Sequence, residues 1–217
     1  MIGLILPGSV AWSETFGAAR DTALFPQEER LAAEMVPARR REFGAARACA
    51  RQALGRLGMP PVPILPGPRG EPGWPSGVLG SMTHCEGYQA AAVARSADLP
   101  VLGIDAEQHR PLPRGVLAAV SLPQERGRLH VLRRGHPGIY WDRVLFSTKE
   151  SVFKAWYPLT RRPLEFEEAD ITLTPDGTWR ARLRLPGDPD AARLPRGFTG
   201  RWLVADGLVL TVSTDLA

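Results

Sequence analysis

Apolar positions recur at helical spacing from Pro37 to Gly58, where Phe43, Ala46, Ala50, Leu54 and Leu57 form one stripe and predict a helix. Pro26 to Met35 reads as a shorter helix before it, with proline at an early position and Glu28 and Glu29 in a first turn that favours anions. Arg39, Arg40, Arg47 and Arg51 fall mostly off the stripe, so the second helix is expected to present a basic face. The run Ile2 to Leu6, stopped by Pro7-Gly8, reads as a buried strand. Residues 60–77 are crowded with proline and glycine and suit neither a helix nor a central strand. Trp74 within them argues for a loop pinned to the body.

Two apolar runs, Val78 to Thr83 and Tyr88 to Ala94, predict an antiparallel pair, and Val101 to Ala106 a third strand. Between Pro113 and Pro158 the pattern turns helical. Its longest helix begins near Gly138, with Trp141, Val144, Leu145, Thr148, Val152, Ala155 and Trp156 on one stripe and Arg143, Ser147, Glu150 and Lys154 on another side. Beyond Pro163 the chain reads as strands: Ile171 to Thr174, Trp179 to Leu185, Trp202 to Ala205 and Leu208 to Val212. Asp176-Gly177 and Asp206-Gly207 are hairpin turns. The expected architecture is α+β, with two similar-sized subdomains, 1–100 and 101–217, each pairing helices with a small antiparallel sheet.

Composition adds bounds. With 217 residues, 44% hydrophobic and 23% charged, the chain can bury a core without staples. No run approaches the roughly 20 apolar residues of a membrane span, and Ile2 to Leu6 is too short for a signal segment, so a cytoplasmic protein is expected. Cys49 and Cys85 have no C-x-x-C spacing, which points to two buried thiols rather than zinc or a disulfide framework. The net charge of +4 is mild, and its dense cluster, Arg39 to Arg41 with Arg47 and Arg51, suits an anionic partner without naming it.

Several residues carry candidate chemistry, each with a plainer reading beside it. Asp105 and Glu107 are two apart on a strand and share a face, which suits magnesium, although such pairs are commonly just solvated. Ser147-Thr148-Lys149-Glu150 fits a capping box, but the stripe runs unbroken through Trp141, Val144 and Leu145 and so puts Ser147 inside the helix. Glu150 and Lys154 are then i,i+4 neighbours, the spacing of an ordinary surface ion pair as well. His84 at a strand end could be a base, a phosphate donor or a packed ring, and Arg39 and Arg47 could bracket a phosphate or be solvated.

The ordered runs Arg39-Arg40-Arg41-Glu42-Phe43, Arg47-Ala48-Cys49-Ala50-Arg51, Gly70-Glu71-Pro72-Gly73-Trp74-Pro75, Gly80-Ser81-Met82-Thr83-His84-Cys85, Gly103-Ile104-Asp105-Ala106-Glu107 and Phe146 to Ala155 resemble the Sfp-type 4'-phosphopantetheinyl transferases, in the branch like the enterobactin synthetase transferase component. That resemblance implies two pseudo-symmetric subdomains with the active site in the cleft between them. It implies transfer of the phosphopantetheine arm of coenzyme A to a serine of an apo acyl or peptidyl carrier protein of fatty acid, polyketide, siderophore or other nonribosomal peptide synthesis, releasing adenosine 3',5'-bisphosphate. Residue by residue, it implies that Asp105, Glu107 and Glu150 hold Mg2+ or Mn2+, with Glu150 the base and Lys154 on the pyrophosphate. Arg39, Arg47, Arg69, Thr83, His84 and Lys149 would join Lys154 in binding coenzyme A, with His84 on the 3'-phosphate. At Arg69 relatives carry lysine. Leu117, Val120, Leu122 and Arg126 are candidates for carrier docking. A monomer acting without nucleic acid or membrane is expected. The competing reading is a non-catalytic nucleotide or RNA binding protein, but the basic residues lack interleaved aromatics and the carboxylates would repel phosphate unless a metal intervened.

Overall fold

The computed structural model describes residues 1–185 and 194–216. Strands β1 (Ala11–Phe16), β2 (Val78–Cys85) and β3 (Tyr88–Arg95) form one antiparallel sheet in the order β1-β3-β2. Strands β4 (Gly103–Gln108), β5 (Ala169–Leu173), β6 (Thr178–Leu183), β7 (Gly197–Ala205) and β8 (Leu208–Leu216) form a second in the order β4-β8-β7-β6-β5. Helices α1 (Pro26–Ala32) and α2 (Pro37–Arg56) belong to the first part, and α3 (Val116–Val120), α4 (Pro123–Gly135) and α5 (Trp141–Thr160) to the second. The class is α+β, with two antiparallel sheets and helices packed on each. Among the described residues no helix is long and apolar enough to cross a membrane.

Three apolar clusters hold these layers. Cys49, Ala50, Ala53 and Leu54 of α2 pack on Ala91 and Val93 of β3 and on Ile64 of the Pro-rich loop. Trp141, Val144, Val152 and Trp156 of α5 pack on Ile171, Trp179, Phe198 and Val209. A middle cluster draws Tyr88, Ala90, Ala92 and Ala94 from the first sheet and Ile104, Ala106, Leu208, Leu210 and Val212 from the second. The alternation of β3 thus turns Ala90, Ala92 and Ala94 toward the second sheet and Ala91 and Val93 toward α2.

β2 and β4 lie side by side but belong to different sheets. Hydroxyls bridge the gap: Ile104 N–H donates to Ser81 Oγ and Ala106 N–H to Thr83 Oγ1, each at 3.0 Å. On its other face β4 meets α5. A Cβ on Gly103 would fall 2.0 Å from the Ser151 carbonyl oxygen, so glycine is what lets the helix lie directly on the strand.

The expected strand from Ile2 to Leu6 does not form. Ile2–Leu4 is a 3-10 turn that buries Ile2, and the Met1 ammonium and the Ile2 N–H both bond to Glu14, so a side chain rather than a neighbouring strand satisfies this backbone. The first strand is instead β1, which has no clean alternation because Ser13 and Glu14 face partners inside the protein. The helix expected to Met35 stops at Ala32. The hairpin at Asp206-Gly207 forms with both φ angles positive, and Trp74 pins its loop by donating to the Gly80 carbonyl at 2.9 Å. Cys49 is buried, whereas Cys85 is half-buried, and neither is bonded to another cysteine.

Candidate functional site

A cavity of about 400 Å³ opens between the two sheets' helices. Arg39 and Arg47 of α2, Arg69 of the Pro-rich loop and His84 at the end of β2 line one side, and Glu150, Phe153, Lys154 and Tyr157 of α5 the other. A smaller hollow of about 210 Å³, walled by Phe153, Leu164 and Phe166, opens beside Glu150. Of the three carboxylates only Glu150 lines these two hollows, Asp105 meeting the cavity through its bond to Lys154, and the larger hollows along β5 to β7 hold none of them.

On the acidic side, β4 alternation turns Ile104 and Ala106 into the middle core and Asp105 and Glu107 toward α5. Asp105 Oδ1 accepts from Lys154 Nζ at 2.7 Å and from Thr83 Oγ1 at 3.3 Å, while its buried Oδ2 has no hydrogen-bond partner. Glu107 accepts from Arg143 at 2.8 Å. Burial, then repulsion from Asp105, holds the pKa of both Glu107 and Glu150 above the ordinary carboxylate value. The helix runs well upstream of Ser147, so Glu150 projects from mid-helix and is no cap.

Among the described residues no three carboxylates, histidines or cysteines converge into a ready metal cage. The donor set nevertheless fits a hard divalent cation. It is all carboxylate oxygen, the Asp105 carboxylate raises the pKa of both Glu107 and Glu150, and the buried Asp105 Oδ2 lacks a hydrogen-bond partner.

On the basic side, Arg39 Nη1 donates to His84 Nε2 at 2.6 Å and to Glu42 at 3.3 Å. Partial burial and then the Arg39 charge lower the His84 pKa, so its ring is neutral and accepts from the arginine. Arg47 departs from the expected exposed basic face. It is 6% exposed, lies with its guanidinium 3.2 Å from the Phe43 ring centre, and donates to the Ile64 and Phe43 carbonyls. Burial lowers its pKa to about 10, which leaves it charged at neutral pH. Arg69 reaches toward the Tyr157 ring, 5.9 Å away.

Two expected ligand residues are not brought into the cavity. Thr83 is buried in the seam between β2 and β4, where its hydroxyl accepts from Ala106 N–H and orients Asp105. Lys149 does not line the main cavity but the smaller hollow beside Glu150, and its three ammonium protons are taken by Glu125 at 2.8 Å and the Phe166 and Ala169 carbonyls at 2.7 and 2.9 Å. The proposed docking residues fare likewise. Val120 and Leu122 are buried, Leu117 packs on the core, and Arg126 is bonded to Ser121. Sequence reasoning passed over Arg143, which ties Glu107 to the Arg110 and Pro111 carbonyls. Its position beside the apolar stripe was visible, but its partners lie more than thirty residues away.

Comparison with known proteins agrees with this geometry. Residues 27–94 match the 4'-phosphopantetheinyl transferase N-terminal domain, and residues 101–206 match the 4'-phosphopantetheinyl transferase superfamily. The chain is 54% identical over 215 residues to 4'-phosphopantetheinyl transferase Svp of Streptomyces mobaraensis, covering 97% of this chain and 87% of that protein. It is 48% identical over 220 residues to 4'-phosphopantetheinyl transferase Npt of Nocardia iowensis, covering 97% and 98%. Over 134 residues, 62% of this chain and 55% of the other, it is 31% identical to enterobactin synthase component D of Salmonella typhi. With arginines and His84 of one half facing Glu150 and Lys154 of the other across one cavity, and relatives matched along nearly its whole length, the chain belongs to the 4'-phosphopantetheinyl transferase family of enzymes.

Proposed function

We propose that this enzyme transfers the 4'-phosphopantetheine arm of coenzyme A to a serine of an apo acyl or peptidyl carrier protein and releases adenosine 3',5'-bisphosphate. The observation that carries the reading is the single cavity in which arginines and His84 of one half face Glu150 and Lys154 of the other. Coenzyme A has phosphate at two separated places, a 3'-phosphate and a pyrophosphate, and so calls for two separated sets of cations. His84, Arg39, Arg47 and Arg69 would take the nucleotide and its 3'-phosphate, and Lys154 the pyrophosphate. The arm would extend from there into the apolar hollow beside Glu150.

Asp105, Glu107 and Glu150 would hold Mg2+ or Mn2+, whose charge offsets that of the pyrophosphate when it is bound. Glu150, its carboxylate made more basic by burial and by Asp105, would take the serine hydroxyl proton as the oxygen bonds to phosphorus. The phosphorus–oxygen bond to the nucleotide then breaks, and Lys154 would stabilise the charge left on the departing phosphate. Thr83 and Arg143 would keep Asp105 and Glu107 aimed at the cleft. Both walls come from one chain, so a monomer suffices, in the cytoplasm and without nucleic acid or membrane.

The test is intact-mass spectrometry of apo carriers from fatty acid, polyketide and nonribosomal peptide systems, siderophore assembly included, after incubation with the protein, coenzyme A and magnesium. A gain of one phosphopantetheine is expected. Unchanged mass across the panel would sink the reading.

A further inference from the structure

Glu28 is a carboxylate with no exposure at all and not part of the transfer chemistry above. It lies on α1 yet reaches two other segments. Both of its oxygens meet Arg51 Nη1, at 3.1 and 3.0 Å, and it accepts from the Ile64 N–H at 2.8 Å and the Phe25 N–H at 3.0 Å. Arg47 Nε stands 3.8 Å from it.

Ile64 is where these contacts converge. Its N–H goes to Glu28 and its carbonyl accepts from Arg47 Nε at 2.9 Å, while its side chain is fully buried against α2 and β3. A carboxylate and a guanidinium thus grip the backbone of one residue from its two sides, one on each of the successive peptide units that flank its Cα. From that point the chain continues to Pro66, Arg69, Gly70 and Pro72, which wall the cavity, and Arg47 itself forms part of the lining.

We infer that Glu28 is a positioning residue for the nucleotide end of coenzyme A: it fixes Arg47 and the start of the Pro-rich wall together, so that the basic pocket is assembled before ligand arrives. An arginine whose stem and loop are already held loses little freedom on meeting a phosphate, and preorganisation of this kind is expressed as affinity. The inference rests on the coenzyme A reading and adds to it a residue that never touches the ligand.

Calorimetric titration of the whole protein with coenzyme A and with 3'-dephospho-coenzyme A tests it without a carrier. Glu28→Gln keeps the shape and one acceptor but removes the charge. Coenzyme A affinity should fall about tenfold, and dephospho-coenzyme A affinity by clearly less, so that discrimination between them narrows. If Arg51, left unpaired, prevents the variant from folding, Glu28→Gln with Arg51→Gln removes both charges of that pair, leaves only Arg47 charged beside it, and should show the same narrowing. Unchanged coenzyme A affinity overturns the inference. So does an equal loss for both ligands, which would mean general loosening. A wild-type protein that binds neither ligand would bring down the coenzyme A reading, and this inference with it.

Discussion

Two lysines on α5, Lys149 and Lys154, each pair with a carboxylate, and the contrast between their surroundings separates scaffold from site. Lys149 is 1% exposed, meets a fully buried Glu125, and has both backbone carbonyls it needs. In the cleft, Lys154 is 28% exposed and meets only one oxygen of Asp105, the other having no partner. The first pair is complete and can bind nothing more. The second is incomplete on both members and sits between carboxylates that repel one another. A filled coordination shell makes a strut, and an unfilled one makes a place for a ligand.

Substitutions on α5 should divide along this line. Glu150→Gln should cut transfer about a thousandfold while leaving thermal unfolding unchanged, as the Glu150 carboxylate makes no hydrogen bond among the described residues. Near-normal turnover would remove it as the base. Lys149→Met should do the reverse, since it strands Glu125 in the core. We expect a loss of about 3 kcal/mol in chemical denaturation, with coenzyme A affinity of the folded protein unaltered. A selective loss of affinity would return Lys149 to the ligand set. Lys154→Gln should lower kcat about a hundredfold in single-turnover assays with little change in melting temperature, and a purely structural response would erase the contrast.

The smallest effect expected is one of pH. In the free protein burial and Arg39 lower the His84 pKa, whereas a bound phosphate favours the imidazolium. Binding therefore takes up a proton, and coenzyme A affinity should rise about threefold as pH falls from about 8 to about 6. His84→Gln should flatten that rise, and an affinity that climbs with pH would exclude His84 from the phosphate site.

Much of this arrangement can be read in the chain because it is local. The stripes of α2 and α5, the β2–β3 pair and the alternation of β4 each follow from spacing within one segment, and so do the shared faces of Asp105 with Glu107 and of Glu150 with Lys154. What spacing alone does not show is the set of side-chain partners that lie far along the chain. Lys149 resembles Lys154 until Glu125, on another helix, is placed beside it. Arg47 looks solvated until Ile64 and Glu28 close over it, and Ile2 to Leu6 looks like a strand until Glu14 captures its backbone. Charge and hydroxyl pairs of this kind have no period, so no window along the chain reveals them.

The middle cluster bears on how the chain is made. Ala90 and Ala92 share their cluster with Ile104, Leu208 and Leu210 as well as with Ile2, Ile5 and Val10, and β4 pairs with β8, the last strand described. That face of the first sheet therefore gains part of its cover only when Leu208–Leu216 has been synthesised. The basic pocket is built early, but the cleft that gives it a use cannot close before the carboxylate half arrives.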